Sequence, residues 1–87
     1  EFLGGLELLT KDKINKFTLQ IDKIDKTMVI QEVADQFIIK DKQLFVQNGQ
    51  LAEGILFLIN DVDIELHDSQ FIQGTDKVTF ISMVHGG

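Results

Sequence analysis

Residues 54–66 read GILFLINDVDIEL, and this stretch does most to decide the fold. Its first six residues are apolar throughout, which is typical of a strand in the interior of a sheet. Asn60 and Asp61 favour a tight turn, so the chain should reverse direction there. The remainder, VDIEL, alternates apolar and acidic residues and predicts a second strand. The stretch therefore predicts two neighbouring strands around one turn.

Towards the end of the chain, KVTFIS (residues 77–82) predicts a final strand. Its alternation places Val78 and Phe80 on one face, and Thr79 and Ile81 on the other. The segment before it, HDSQFIQGTD (residues 67–76), is rich in polar residues. It is predicted to be a loop whose apolar pair, FI, anchors it to the body.

In the other direction, MVIQEVADQFII (residues 28–39) has apolar residues at the spacing of one helix face. Thr27 precedes it and could accept an N–H of the first turn as a cap. The charged DKIDK before Thr27 is expected to be a connection. After the helix, a short apolar step, LFV (residues 44–46), leads to the turn formers Asn48-Gly49.

The chain begins EFLGGLELL, which we interpret as the end of a first strand followed by a bend at the two glycines. KFTLQI (residues 16–21) alternates as a half-buried strand and would complete a hairpin with the first. The predicted class is α+β, one helix across a mixed sheet in ββαββ order. This order matches the β-grasp, or ubiquitin-like, fold, in which the first and last strands lie parallel in the sheet centre.

Length and composition limit the possible functions. The 87 residues suit a single domain, which we place at 1–83 with a flexible tail at 84–87. The net charge is −6 and all eight basic residues are lysines, so direct nucleic-acid binding is not expected. The longest apolar run is six residues, far from the roughly 20 of a membrane helix. With no cysteine, the chain fits a reducing compartment: the cytoplasm, with the nucleus as a second location.

Catalytic motifs are weak. His67 and Ser69 are close in sequence but lack the glycine motif of an oxyanion hole, which argues against a triad. On one strand face, Asp61, Asp63 and Glu65 could attract a cation, although a solvated face explains them better. No phosphate-binding glycine loop and no metal motif is present. The chain is therefore not expected to be an enzyme or to bind a cofactor.

The most informative chemistry lies in the last two glycines. A carboxylate at Gly87 is a poor electrophile, but another enzyme could activate it as an acyl-adenylate using Mg·ATP. Residues without Cβ can pass through a narrow channel and adopt the backbone angles that it imposes. Four extended residues reach about 13 Å, enough to enter a partner's site. A glycine-rich end without function is the plain alternative.

Three segments, EFLGGLELL, GILFLINDVDIEL and FISMVHGG, closely resemble the ubiquitin-related modifier family of sulfur carriers. Together they cover about 30 residues, at both ends and in the central strand pair. The run GILFLIND together with the HGG ending makes the resemblance to this family specific. The Met83-Val84 pair differs from the residues usual before that histidine, and the first strand is short.

The resemblance implies a role for each tail residue. Gly87 would carry the acyl-adenylate, the thiocarboxylate and any isopeptide bond; Gly86 would allow passage of the tail, and His85 would be recognised. The implied partners are an activating enzyme with a rhodanese domain, a tRNA thiolation enzyme and lysines of target proteins. The sulfur would serve 2-thiolation of the wobble uridine in cytosolic tRNAs, with the carrier acting as a monomer.

Thr79 and Ile81, on the face away from the helix, are candidates for partner docking, together with part of the Ile55–Ile59 strand. Two alternatives stay open. One is a ubiquitin-like module that binds partners without covalent chemistry. The other is a sulfur carrier for molybdopterin or thiamine synthesis.

Overall fold

The computed structural model describes residues 1–84. Within them the chain forms eight short strands, one α-helix and four short 3-10 turns. The strands are β1 (Phe2–Leu3), β2 (Lys23–Asp25), β3 (Val46–Gln47), β4 (Gln50–Leu51), β5 (Ile55–Ile59), β6 (Val62–Asp63), β7 (Phe71–Gln73) and β8 (Val78–Ser82), and the helix α1 is Val29–Phe37.

Four strands form the main sheet, in the order β1-β8-β5-β6. The first strand runs parallel to the last, with Phe2 opposite Phe80, and β5 runs antiparallel to β8, with Phe57 opposite Phe80. This confirms both the interior position of the Ile55–Ile59 strand and the parallel pairing of the first and last strands. The first strand lies at the sheet edge, however, and not in the centre as predicted.

Both predicted turns are present. Asn60 and Asp61 have φ angles of 52° and 67° between β5 and β6, and Asn48 and Gly49 have 55° and 80° between β3 and β4. Such left-handed pairs give the type I′ turn, whose twist matches that of a hairpin.

The strand predicted over VDIEL was too long, because it ends at Asp63. The Asp63 carboxylate accepts a hydrogen bond from the Glu65 amide at 2.9 Å, which turns the backbone into a 3-10 helix over Ile64–Leu66. Aspartate side chains compete for local amides in this way, so the alternating pattern did not extend the ladder.

The helix is three residues shorter than the predicted span of 28–39. It buries Val29, Val33 and Ala34 against the sheet, and it ends where Ile38 adopts an extended conformation. The prediction of Thr27 as the helix cap was wrong, because Met28 occupies the cap position and makes no side-chain hydrogen bond there. The Thr27 amide and hydroxyl donate instead to the Asp25 carboxylate at 2.8 and 2.6 Å.

The predicted hairpin does not form, because residues 17–21 make no ladder in the described structure. The apolar side chains that alternate along this segment are partly buried, although the segment is not a strand. The Phe17 ring packs 4.6 Å from the Phe2 ring and 4.8 Å from the Phe37 ring, between centroids. The Phe2 amide is paired nearby, with the carbonyl of Asn15 at 2.8 Å.

The predictions of a connection over residues 22–26 and of a loop over residues 67–76 were also wrong, because parts of these two segments pair with each other. β2 and β7 form a separate antiparallel ladder in which Ile24 lies opposite Ile72. Ile72 is buried in the core and Phe71 faces outward, with the Lys23 ammonium 4.5 Å from the centre of its ring.

Phenylalanine rings form a connected cluster within the core between helix and sheet. Phe2, Phe45 and Phe80 are fully buried, and the Phe80 ring lies 4.7 Å from that of Phe57 and 5.1 Å from that of Phe45. One helix across a mixed sheet with parallel terminal strands confirms the predicted α+β, β-grasp class. Across residues 1–84, none of the helices has the length and apolar character needed to cross a bilayer.

Candidate functional site: the chain end and the outer sheet face

The predicted reactive tail comprises His85, Gly86 and Gly87, and these three residues lie outside the described part of the chain. Their roles in activation and recognition stay predictions, as does the boundary between a domain at 1–83 and a tail at 84–87. The structure does describe how the chain leaves the sheet to reach them.

Residues 82–84 form the exit segment, in which the chain leaves the sheet. It begins at Ser82, the buried last residue of β8. The next amide, that of Met83, donates to the Gly54 carbonyl at 2.7 Å, so one more residue stays tied to the neighbouring segment. Met83 and Val84 are both 63% exposed. The chain therefore turns from a core strand into solvent within two residues.

Two glycines in the left-handed region flank this exit. Gly4 has φ +71°, and a Cβ placed there would lie 2.2 Å from the Ser82 carbonyl oxygen. Gly54 has φ +88°, and its Cβ would lie 2.0 Å from Cγ2 of Val84. At Gly4 the obstacle is the Ser82 backbone, which would have to shift, whereas at Gly54 it is a methyl group of the exposed Val84 side chain, which would have to turn away. Sequence reasoning placed Gly4 in a bend and Gly54 at a strand start, and it had no signal linking either to the tail.

The outer face of the sheet, opposite the helix, carries the predicted docking residues. Thr79 was expected to be part of an exposed surface, but it is only 3% exposed, opposite Leu58 of β5. Its Oγ1 makes no hydrogen bond to the described residues. Thr79 therefore lies beneath the surface, and its side chain is not available to a partner.

Ile81 is half-buried and lies in a row with Leu56 of β5 and Leu3 of β1. Residues opposite one another in a sheet share a face, so these three and Leu58 form one apolar surface, which we call the outer patch. Leu56 is its most open member, at 40% exposure. Docking through Ile81 stays a prediction, now with named neighbours.

A charged group borders the same face. Lys77, two residues before Thr79 on the same side, places its ammonium 3.1 Å from the Asp61 carboxylate and 3.8 Å from that of Glu1. The hydrogen bond to Asp61 and its negative charge raise the pKa of Lys77. The ion pair therefore ties Lys77 to the turn between β5 and β6.

The weaker sequence candidates have structural roles. The His67 ring nitrogen Nε2 lies 3.0 Å from the Phe71 carbonyl, and the Ser69 hydroxyl accepts from the Phe71 amide at 3.0 Å. Both side chains therefore hold the backbone at the start of β7. Asp61, Asp63 and Glu65 do not share a strand face, and residues 1–84 hold no cluster of three or more metal-ligating side chains.

The comparisons with known proteins cover the chain in full. The family described as Urm1 (Ubiquitin related modifier) matches residues 1–87. Similar proteins include the "Ubiquitin-related modifier 1" of Vanderwaltozyma polyspora, 36% identical over 97 residues, and that of Kluyveromyces lactis, 38% identical over 95 residues. Each match spans 100% of this chain and 94% of the relative. The protein of the same name from Schizosaccharomyces pombe is 36% identical, over 100% of this chain and 95% of its own length.

A β-grasp domain with an apolar outer sheet face and a C-terminal segment leaving the end of its last strand defines a ubiquitin-like protein. The full-length match makes the assignment more specific. The chain belongs to the ubiquitin-related modifier family.

Proposed function

We propose that this protein is a sulfur carrier whose Gly87 carboxylate is converted to a thiocarboxylate. The match of the whole chain to the ubiquitin-related modifier family carries this proposal. The sulfur is used for 2-thiolation of the wobble uridine in cytosolic tRNAs. The protein works as a monomer in the cytoplasm, with the nucleus as a second location.

The conversion takes three steps on the activating enzyme. An oxygen of the Gly87 carboxylate attacks the α-phosphorus of Mg·ATP, pyrophosphate leaves, and an acyl-adenylate forms. The outer sulfur of a persulfide on the rhodanese domain then attacks the carbonyl, and AMP leaves. A thiol finally cleaves the resulting acyl disulfide, which releases the thiocarboxylate and leaves a disulfide on the enzyme side.

This chain serves as the substrate of those steps. The outer patch offers apolar surface to the activating enzyme, and the charged group around Lys77 lies at its border. Interfaces combine an apolar centre with a polar rim in this way. ATP and its metal belong to the activating enzyme, and we propose no cofactor bound to this chain.

The tRNA is contacted by the thiolation enzyme in this proposal. The net charge of −6 opposes direct association with phosphate, and the chain has no arginine for bidentate contacts. An acidic carrier suits basic surfaces on its protein partners.

Conjugation to target proteins is a second use of the same end. A lysine amine of the target attacks the activated Gly87 carbonyl, the leaving group departs, and an isopeptide bond forms. The family description as a modifier favours this second function. His85 and Gly86 would guide the tail in both reactions.

Intact-mass spectrometry tests the proposal. The protein is incubated with its activating enzyme, ATP and a sulfur donor, and one terminal oxygen should be replaced by sulfur. A variant lacking Gly87 is the control and should stay unmodified while keeping its fold. If the enzyme is demonstrably active and the mass does not change, the carrier proposal is wrong.

The alternatives predict other outcomes. A non-covalent ubiquitin-like module would bind its partners equally well without Gly86 and Gly87. A carrier for molybdopterin or thiamine synthesis would form the thiocarboxylate but transfer no sulfur to tRNA. Assaying tRNA thiolation with the purified thiocarboxylate separates these cases.

A further inference from the structure

We infer that Gly54 is a positioning residue: its contact with Val84 sets the direction in which the reactive end leaves the domain. The inference rests on the proposed function, because the direction matters only if Gly87 must reach another enzyme's active site. Gly54 lies at the start of the central strand pair and is distant from the tail in sequence. Only the fold brings it to the exit.

The geometry of the contact is unusually close. A Cβ on Gly54 would lie 2.0 Å from Cγ2 and 3.4 Å from Cβ of Val84. A carbon–carbon contact of 2.0 Å is impossible, because such atoms approach to about 3.5 Å at best. The bare Cα of Gly54 therefore forms the surface on which the Val84 side chain rests.

A hydrogen bond next to this contact fixes the backbone. The Met83 amide donates to the Gly54 carbonyl at 2.7 Å, so Gly54 holds both the backbone of residue 83 and the side chain of residue 84. The preceding residue, Ser82, is buried and has Gly4 against its carbonyl. The chain is thus constrained up to Val84, three residues before Gly87.

Constraint at this point matters for catalysis. A tail that leaves in one direction presents its carboxylate to a channel with less loss of conformational freedom than one that samples many directions. Small errors in the placement of a reacting group cost rate even when binding is unchanged. Turning Val84 in another direction should therefore lower kcat for adenylation. KM depends on the outer patch in the proposed function, so it should stay nearly unchanged.

The chain offers a matched control. Gly49 also adopts a left-handed conformation, with φ +80°, but a Cβ there meets nothing within 4 Å. Gly49→Ala and Gly54→Ala impose the same kind of backbone strain. Only Gly54→Ala places an atom against Val84. The difference between the two variants therefore reports the contact with the tail.

The experiment measures ATP–pyrophosphate exchange by the activating enzyme with the full-length chain and its variants. We expect Gly54→Ala to lower kcat about tenfold, with KM within twofold, and Gly49→Ala to leave both within twofold. Thermal melts establish that the two variants lose similar stability. If Gly54→Ala and Gly49→Ala have equal kcat, the inference is overturned.

A double-mutant cycle with Val84→Ala tests the mechanism. This variant loses Cγ2, and we expect kcat to fall about threefold because the contact is lost. In that background, Gly54→Ala should cause no further loss, since the remaining Cβ of residue 84 lies at an ordinary contact distance. An undiminished effect of Gly54→Ala would refute the positioning role.

Two further outcomes are distinguishable. If Gly54→Ala does not fold, Val84→Ala carries the test, because its exposed side chain is not needed for folding; an unchanged kcat then overturns the inference. If the wild-type protein is not adenylated at all, the proposed function fails. Nuclear Overhauser contacts between the Gly54 Hα protons and the Val84 methyls still test the contact itself, and their absence refutes it.

Discussion

Thr79 provides the sharpest test of the packing in this domain, because its hydroxyl is buried without a partner among the described residues. Burying an unpaired hydroxyl costs about 1–3 kcal/mol. Thr79→Val keeps the branched shape and replaces the hydroxyl by a methyl group. We therefore expect the free energy of unfolding to rise by about 1 kcal/mol or more.

Thr10→Val is the matched control. Thr10 is 4% exposed, close to the 3% of Thr79, but its hydroxyl is fully used. It donates to the Glu7 carbonyl at 2.8 Å and accepts from the Ile14 amide at 2.8 Å. The same substitution at this site removes the acceptor of the Ile14 amide, while the Glu7 carbonyl keeps the Thr10 amide as a donor, and it should cost about 1–3 kcal/mol.

Chemical and thermal denaturation measure the two effects. In a domain of this size, 1 kcal/mol moves Tm by about 4–8 °C, so the variants should shift in opposite directions and differ clearly. If Thr79→Val lowers Tm, or if both variants shift alike, the Thr79 hydroxyl has a partner and the reasoning is wrong.

Three further predictions follow from the outer patch, the surface carboxylates and the core. Leu56→Asp should raise KM for the activating enzyme about tenfold, measured by pyrophosphate exchange, because it places a charge in the outer patch. The pKa of Asp25 is lowered mainly by the Thr27 hydroxyl, and that of Asp76 mainly by the Asn60 side chain. Both carboxylates should stabilise the fold at a pH above their ordinary pKa, and they should stop doing so as acid protonates them. The urea concentration at the unfolding midpoint should therefore decrease once the pH is lowered below about 4. Phe80→Ala should cost about 3–5 kcal/mol in urea unfolding, since its ring is fully buried among other rings.

Each of these has a control. Met28→Asp adds the same charge at a residue that is 63% exposed and lies at the start of the helix, on the other side of the sheet, and KM should not change. Asp25→Asn should reduce the loss of stability in acid; an unaltered pH profile would contradict the role of this carboxylate. Phe71→Ala removes a ring that is 38% exposed and should cost much less than the core variant; equal losses would place the core elsewhere.

The parts of the fold that could be predicted from sequence are those encoded locally. The apolar run before Asn60 and the turn-forming pairs carry their structure in neighbouring residues, and they were found where predicted. The helix stripe was also correct, although its ends were not, because the Thr27 hydroxyl donates to Asp25 and because Ile38 pairs with Thr10 in a β-bridge where the helix ends.

The errors arose where structure depends on residues far apart. Residues 17–21 alternate like a strand, but their rings satisfy the pattern by packing on Phe2 and Phe37 without a ladder. β2 and β7 are only three residues long and lie within polar segments, and each contributes one isoleucine to their pairing. Nothing local shows that Ile24 and Ile72 face each other.

The candidate site stays a prediction at Gly87, which lies outside the described residues, and at Ile81. The family motif pointed to Gly87 and the alternation of β8 pointed to Ile81, but exposure cannot be derived from alternation, and Thr79 proved to be buried. The contact of Gly54 with Val84 joins residues thirty positions apart in the chain, so only the folded structure connects them.

The phenylalanine core has a practical consequence for observing this protein at work. These 87 residues contain seven phenylalanines but no tryptophan and no tyrosine, so the chain is nearly silent at the wavelengths that excite indole and phenol rings. In a mixture with an activating enzyme that contains tryptophan, an emission change on mixing would report the enzyme alone. Stopped-flow fluorescence could therefore follow the docking of the unlabelled carrier from its partner's side.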